Sequence, residues 1–303
     1  MSELCAGRFG RREQAQGSEL IGHGGRPGEV FLLGMIYGAA SLSVLLFGGI
    51  LLYVFGKGFR TLDPAFLTGV GSVLQDRVGI AGNLVNTLYI IVIALLIAVP
   101  VGVGGAVYLN EYAEPGRVTE LVEFATETLS GIPSVVFGLF GSVFFGGLGL
   151  EYSLLRGALT VSLMVLPLIV RNTQEALRTV PEGLRSASLG LGATRWDMIR
   201  TVLLPWARPG ILTGLVLAAG RIVGESAALL LTAGSAGLLP GRGNGLLKGL
   251  AERLLQSGGT LTVELYLQMQ NGRYETAFGI GCVLLLILFG INLLLRLAVR
   301  ERK

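Results

Sequence analysis

Charge is what this sequence has least of: 15% of its 303 residues are Asp, Glu, Lys or Arg, against about 25% in a soluble domain. Too little charge is present to cover a water-exposed surface. Histidine is nearly absent, with only His23 near the N-terminus, so a histidine-based catalytic centre or metal cluster has no ligands to draw on. The two cysteines, Cys5 and Cys282, match no metal spacing and read as separate thiols. No G-x-x-x-x-G-K-[ST] run occurs: Gly56-Lys57-Gly58 lacks the earlier glycine and the following hydroxyl residue, which excludes nucleotide binding in that mode.

What fills the sequence is apolar residues at 51% and 47 glycines, with a mean hydropathy of +0.67. The apolar residues fall in blocks at 31–55, 82–109, 120–148, 204–232 and 275–295, with a shorter block from Leu154 to Val170. A helix needs about 20 residues to cross a bilayer core. The blocks therefore predict an all-α integral membrane protein with six transmembrane helices. The expected organisation is a tail over 1–30, a first membrane helix over 31–55, an external loop over 56–81, a membrane domain over 82–296 and a tail over 297–303. Of 24 basic residues, 15 fall on the side holding both termini and the 171–208 connection, and 8 on the other. That asymmetry predicts that both termini face the cytoplasm, and it accounts for the net charge of +4 without a nucleic-acid partner.

The longest cytoplasmic connection reads as helix, glycine turn, helix. Pro181 and Glu182 suit a first helical turn, Gly190 and Gly192 punctuate its end, and Thr194 with Asp197 resembles a capping box. Trp196, Ile199 and Leu203 follow at helical spacing until Pro205 restarts the chain. The element suits either an interfacial surface helix or a partner-docking helix.

Two charges interrupt the 204–232 block. Arg221 lies twelve residues past Pro209, about 18 Å along a helix. On an unbroken helix Gly210, Gly214, Ala218, Arg221, Glu225 and Ala228 share one face. Either Arg221 and Glu225 neutralise each other in packing, or Arg221 lines a path for an anion, whose oxygens a guanidinium fork suits. Ser130, Gly131 and Pro133 interrupt another block, which suits a packing kink or a broken helix lining a cavity.

The 186–205 stretch resembles the EAA loop of ABC importer permeases. Ser186, Ala187 and Ser188 occupy the first positions, Gly192 the glycine and Val202, Leu204 and Pro205 the ending; Ser186 stands where the motif has Glu. YLNEYAE at 108–114, ETLSGIPSVVFGLFG at 127–141, QEALRTVPEGLRSASLGLGATRWDMI at 174–199, RIVGESAALLLTAG at 221–234 and TLTVELYLQMQNG at 260–272 are together similar to the A subunit of bacterial phosphate-specific permeases. The resemblance implies the type I ABC importer permease fold in the bacterial inner membrane, acting as the permease of an ATP-driven inorganic phosphate importer and not itself as an enzyme. It implies a second homologous permease, an ATPase subunit dimer carrying ATP and Mg, and an external phosphate-binding protein as partners. No cofactor is expected on this chain. Ser186, Ala187, Gly192, Ala193, Val202, Leu204 and Pro205 would then couple it to the ATPase, and Arg221, Glu225 and Ser130 would line the path. Other readings are a permease for another oxyanion or small solute, a passive channel, or a membrane signalling scaffold.

Overall fold

The computed structural model describes residues 27–72, 77–237, 249 and 252–300. Cys5, His23, most of the expected N-terminal tail and the last three residues of the C-terminal one, with the greater part of the Gly-rich stretch from Leu238 on, lie outside them. The chain divides into Met1–Tyr53 and Val54–Lys303. The described part of the first unit is helical, and helix α1 (Pro27–Gly58) starts earlier than the expected 31–55. Pro27 sits where its missing N–H costs nothing, and no proline interrupts the apolar run that follows. Its large side chains, Phe31, Leu45, Phe47 and Leu52 among them, are exposed.

The second unit opens with structure where a loop over 56–81 was expected. A short helix α2 (Pro64–Thr68) is capped by Asp63, whose carboxylate accepts the Phe66 N–H at 2.6 Å. An antiparallel pair follows, β1 (Val70–Ser72) and β2 (Arg77–Ile80), registered with Val70 opposite Ile80. Helix α3 (Ala81–Glu111) then crosses the core.

The block at 120–148 forms two helices, α4 (Arg117–Gly131) and α5 (Ser134–Gly147), bent by 106°. Pro133 has no N–H to give and holds Ile132 extended (φ −71°, ψ 132°), so the helix cannot continue through it. Helix α6 (Leu154–Arg178) starts on Ser153, whose hydroxyl accepts the Arg156 N–H at 3.2 Å. The connection after α6 contains α7 (Glu182–Gly190) and α8 (Arg195–Met198), and a π-helical turn (Ile199–Leu203) leads into α9 (Leu204–Gly224).

Two expectations need correction here. Pro205 does not restart the chain, because the wide turn before it absorbs the missing N–H and the ring; the helical run is continuous from Arg195 to Gly224. The 204–232 block is not one helix either: it stops at Gly224, Glu225 is extended (φ −82°, ψ 121°), and α10 (Ala227–Thr232) begins afresh. Beyond lie α11 (Leu261–Gln270), capped by Thr260, and α12 (Tyr274–Arg300).

Among the described residues five helices are long and apolar enough to cross a membrane, six if the bent α4–α5 pair is one span. The core is centred where α3 and α6 pack, with Ile90, Ala94, Ala98, Val161, Val165 and Ile169 buried together. Two close approaches depend on glycine: a Cβ on Gly102 would meet the Ile169 side chain at 2.7 Å, and one on Gly141 would land on the Thr160 hydroxyl. A second, smaller core lies at the other end of α6, formed by Leu177, Val180, Met198, Ile199 and Leu203, with the partly buried Leu184 and Val107 packed against it.

Candidate functional site

The α7–α8 turn follows from three residues. Gly192 has φ +86°, a left-handed conformation that costs other residues about 1–2 kcal/mol. With Gly192 so placed, the Ala193 N–H reaches back to the Ser188 carbonyl at 3.2 Å and closes α7 in the manner of a Schellman motif. Thr194 then starts α8: its hydroxyl oxygen accepts the Asp197 N–H at 3.1 Å and its O–H donates to Asp197 Oδ2 at 2.6 Å. This is the expected cap, with the acid returning to the hydroxyl.

Ser186, Ala187, Gly192 and Pro205 are exposed, while Ala193, Val202 and Leu204 are half-buried. Ser186 Oγ donates within its own helix to the Glu182 carbonyl at 3.1 Å. Ile199 and Leu203 are fully buried, as their spacing suggested, but Trp196 faces outward and Leu191 is 90% exposed. The connection thus has one face built into the small core and one open face.

What fixes the inner face has no mark in the sequence. Arg185 Nη1 donates to Glu111 Oε1 at 2.5 Å, Nη2 donates to the Leu177 carbonyl at 2.9 Å, and Nε lies 3.6 Å from Glu182 Oε2. The Arg185 and Glu111 side chains are 14% and 6% exposed. Asn110 Nδ2 donates to the same Glu111 oxygen at 2.6 Å.

The expected path residues do not form one face. Arg221 is in the last turn of α9 and exposed, and among the described residues its side chain forms no ion pair or hydrogen bond. Glu225 is buried beyond the break, where Oε1 accepts the Ala228 N–H at 3.1 Å and its carbonyl accepts from the Thr262 hydroxyl at 2.8 Å. The expected Arg221–Glu225 packing pair is therefore absent: the carboxylate caps α10 instead. The small-residue face holds for Gly210 and Gly214, which abut Ala176 and Asn172 of α6. Ser130 is exposed at the end of α4, its hydroxyl donating to the Glu127 carbonyl at 2.6 Å. Nearby, a cavity of about 150 Å³ is lined by Glu123, Thr126 and Glu127 of α4 and by Arg171, Gln174, Glu175 and Arg178 of α6. Arg171 pairs there with Glu127.

Two buried arginines were also missed. Arg156 donates to the carbonyls of Gly141, Ser142 and Leu150 and to the Ser142 hydroxyl, with its guanidinium 5.0 Å from the Tyr152 ring centre. Arg253 donates to Asn86 Oδ1 at 2.7 Å, and Asn86 Nδ2 donates to the Ala236 and Gly259 carbonyls. Desolvation pulls the Arg253 guanidinium below its usual value, partly opposed by Tyr89. Its partner Asn86 is 167 residues away in sequence, so nothing local to Arg253 names it.

A family model described as the binding-protein-dependent transport system inner membrane component matches residues 98–302. The probable ABC transporter permease protein YqgI of Bacillus subtilis is 42% identical over 202 residues, 66% of this chain and 69% of that protein. The phosphate transport system permease protein PstA of Xylella fastidiosa (strain Temecula1) is 37% identical over 178 residues, 58% of this chain and 62% of that one. In fold, the chain resembles a bacterial ABC transporter involved in the import of the acidic polysaccharide alginate (TM-score 0.63, 17% identity, 90% of this chain and 96% of that one). It also resembles the MetNI methionine ABC transporter (TM-score 0.54, 21% identity, 74% and 94%).

Proposed function

The chain belongs to the inner membrane components of binding-protein-dependent transport systems, the permease subunits of ABC importers, and from that membership we propose that it forms half of the path by which inorganic phosphate enters the cell. The observation that carries this reading is Arg221. A charge in mid-bilayer costs about 2.5–3.5 kcal/mol on insertion scales, yet Arg221 is exposed on a membrane-crossing helix without a side-chain partner among the described residues. Water or another protein must cover it there. A guanidinium offers an oxyanion two parallel donors, and relatives such as the Xylella PstA carry phosphate transport in their names.

A second, homologous permease supplies the other half of the path, with an external phosphate-binding protein delivering the anion. Two ATPase subunits, holding ATP and Mg, dock on the open face of 182–205 through Ser186, Ala187, Gly192, Ala193, Val202, Leu204 and Pro205. Hydrolysis takes place on those subunits. Ser130 lines the path at the α4–α5 bend, and Glu225 fixes where α9 ends and so where Arg221 sits. Both termini lie in the cytoplasm, in line with the basic-residue asymmetry.

The test is uptake of radiolabelled phosphate by vesicles reconstituted with the chain, its partner permease, ATPase and binding protein. Arg221→Gln is expected to abolish ATP-dependent uptake while the subunits still co-purify. Undiminished uptake would remove Arg221 from the path, and uptake of sulfate or molybdate in place of phosphate would overturn the substrate.

A further inference from the structure

Helix α7 has two attachments of different kinds. The first is apolar: Leu184 packs into the small core formed by the end of α6, the π turn and the start of α9. Such contacts are non-directional. The second is polar and directional, the Arg185–Glu111 ion pair. Its two residues are 74 apart in sequence, and it joins α7 to the last residue of α3.

One guanidinium reaches three elements. Nη1 holds Glu111 of α3, Nη2 holds the Leu177 carbonyl of α6, and Arg185 itself belongs to α7. Asn110 donates to the same carboxylate oxygen and so fixes the acceptor. Because both side chains are largely withdrawn from water, salt screens this pair less than a surface pair. Helix α3 in turn forms the core with α6, so a displacement of its cytoplasmic end is carried as a body.

We propose that the Glu111–Arg185 pair is the strut that transmits displacement of α7 to α3. This rests on the reading of 182–205 as the segment the ATPase moves. The pair positions the path and does not touch the transported anion.

The experiment uses the reconstituted complex, with Cys5→Ser and Cys282→Ala, and a nitroxide on Leu96→Cys, an exposed position of α3. The paramagnetic resonance spectrum is recorded before and after adding ATP and Mg. With the pair intact, ATP is expected to change the spectrum; Arg185→Gln or Glu111→Gln is expected to reduce that change at least fivefold, with the ATPase still co-purifying. Exchanging the charges, Glu111→Arg with Arg185→Glu, is expected to restore at least half of it, which a merely structural loss would not give. An undiminished change in both single variants, no change with the pair intact, or no gain from the exchange would each overturn the strut. Inorganic phosphate uptake is followed in parallel: a chain whose α3 responds to ATP through the pair but imports no phosphate retains the strut and removes phosphate as substrate.

Discussion

Glu111 closes the membrane-crossing helix α3, and its carboxylate is held at 2.5 Å by Arg185, a residue of helix α7. The two halves of the pair are not equivalent. Without Arg185, Glu111 keeps only the Asn110 amide; without the Glu111 charge, Arg185 keeps the Leu177 carbonyl and Glu182. An uncompensated buried charge is the costlier outcome. Arg185→Met is therefore expected to destabilise the purified permease by about 3–5 kcal/mol and Glu111→Gln by about 1 kcal/mol, measured as detergent-solubilised thermal unfolding. Equal losses would show that the asymmetry is wrong.

Gly192 offers a cleaner test of backbone cost, because a Cβ there would meet nothing within 4 Å. Any penalty comes from φ alone. Gly192→Ala is expected to cost about 1 kcal/mol, and Gly192→Asn clearly less, since Asn tolerates the left-handed region. Limited proteolysis of the 182–205 connection reads this directly, with the Ala variant cut faster than the Asn variant.

Gly141 is constrained by space and not by φ. A Cβ there would land on the Thr160 hydroxyl, which donates to the Arg156 carbonyl at 2.9 Å. Gly141→Ala is expected to lower stability by about 1–3 kcal/mol, the usual cost of overpacking. Adding Thr160→Ala should recover part of that loss. Strict additivity in the double-mutant cycle would count against the contact.

Arg156 ties the middle of α5 and the loop after it to the start of α6 through four acceptors. An ammonium is a point charge and cannot reproduce the guanidinium fork. Arg156→Lys is expected to lose about 2–3 kcal/mol, as for loss of charge-assisted hydrogen bonds, in the same unfolding assay. A neutral outcome would mean that the carbonyls find other donors.

Breaks marked by proline were legible in the sequence, and those marked by side-chain competition were not. Pro133 gives the α4–α5 bend a covalent cause, so Ser130 and Gly131 could be placed beside it in advance. The break at Glu225 has no such mark: a carboxylate accepting the Ala228 N–H outweighs one more helical turn, and the hydropathy of 204–232 runs through it unchanged. That is why Arg221 and Glu225 read as neighbours on one face. Pro205 misled in the opposite sense, since the wide turn before it keeps the helix intact. The Glu111–Arg185 pair was invisible for a different reason. Its partners are chosen by how α3 and α7 dock, and nothing local to either residue names the other.

The π turn at Ile199–Leu203 amounts to one residue inserted into an α-helix, and one residue is about 100° of rotation. The wide turn takes up that residue, so closing the run as ordinary helix with the residue kept would turn Trp196 and Arg195 by roughly a quarter of a turn about the axis of α9, whereas deleting one residue would leave their facing nearly unchanged. The direction in which the 182–198 segment faces is thus set by the width of one turn, as the angle of a wrench is set by the tooth on which it is seated.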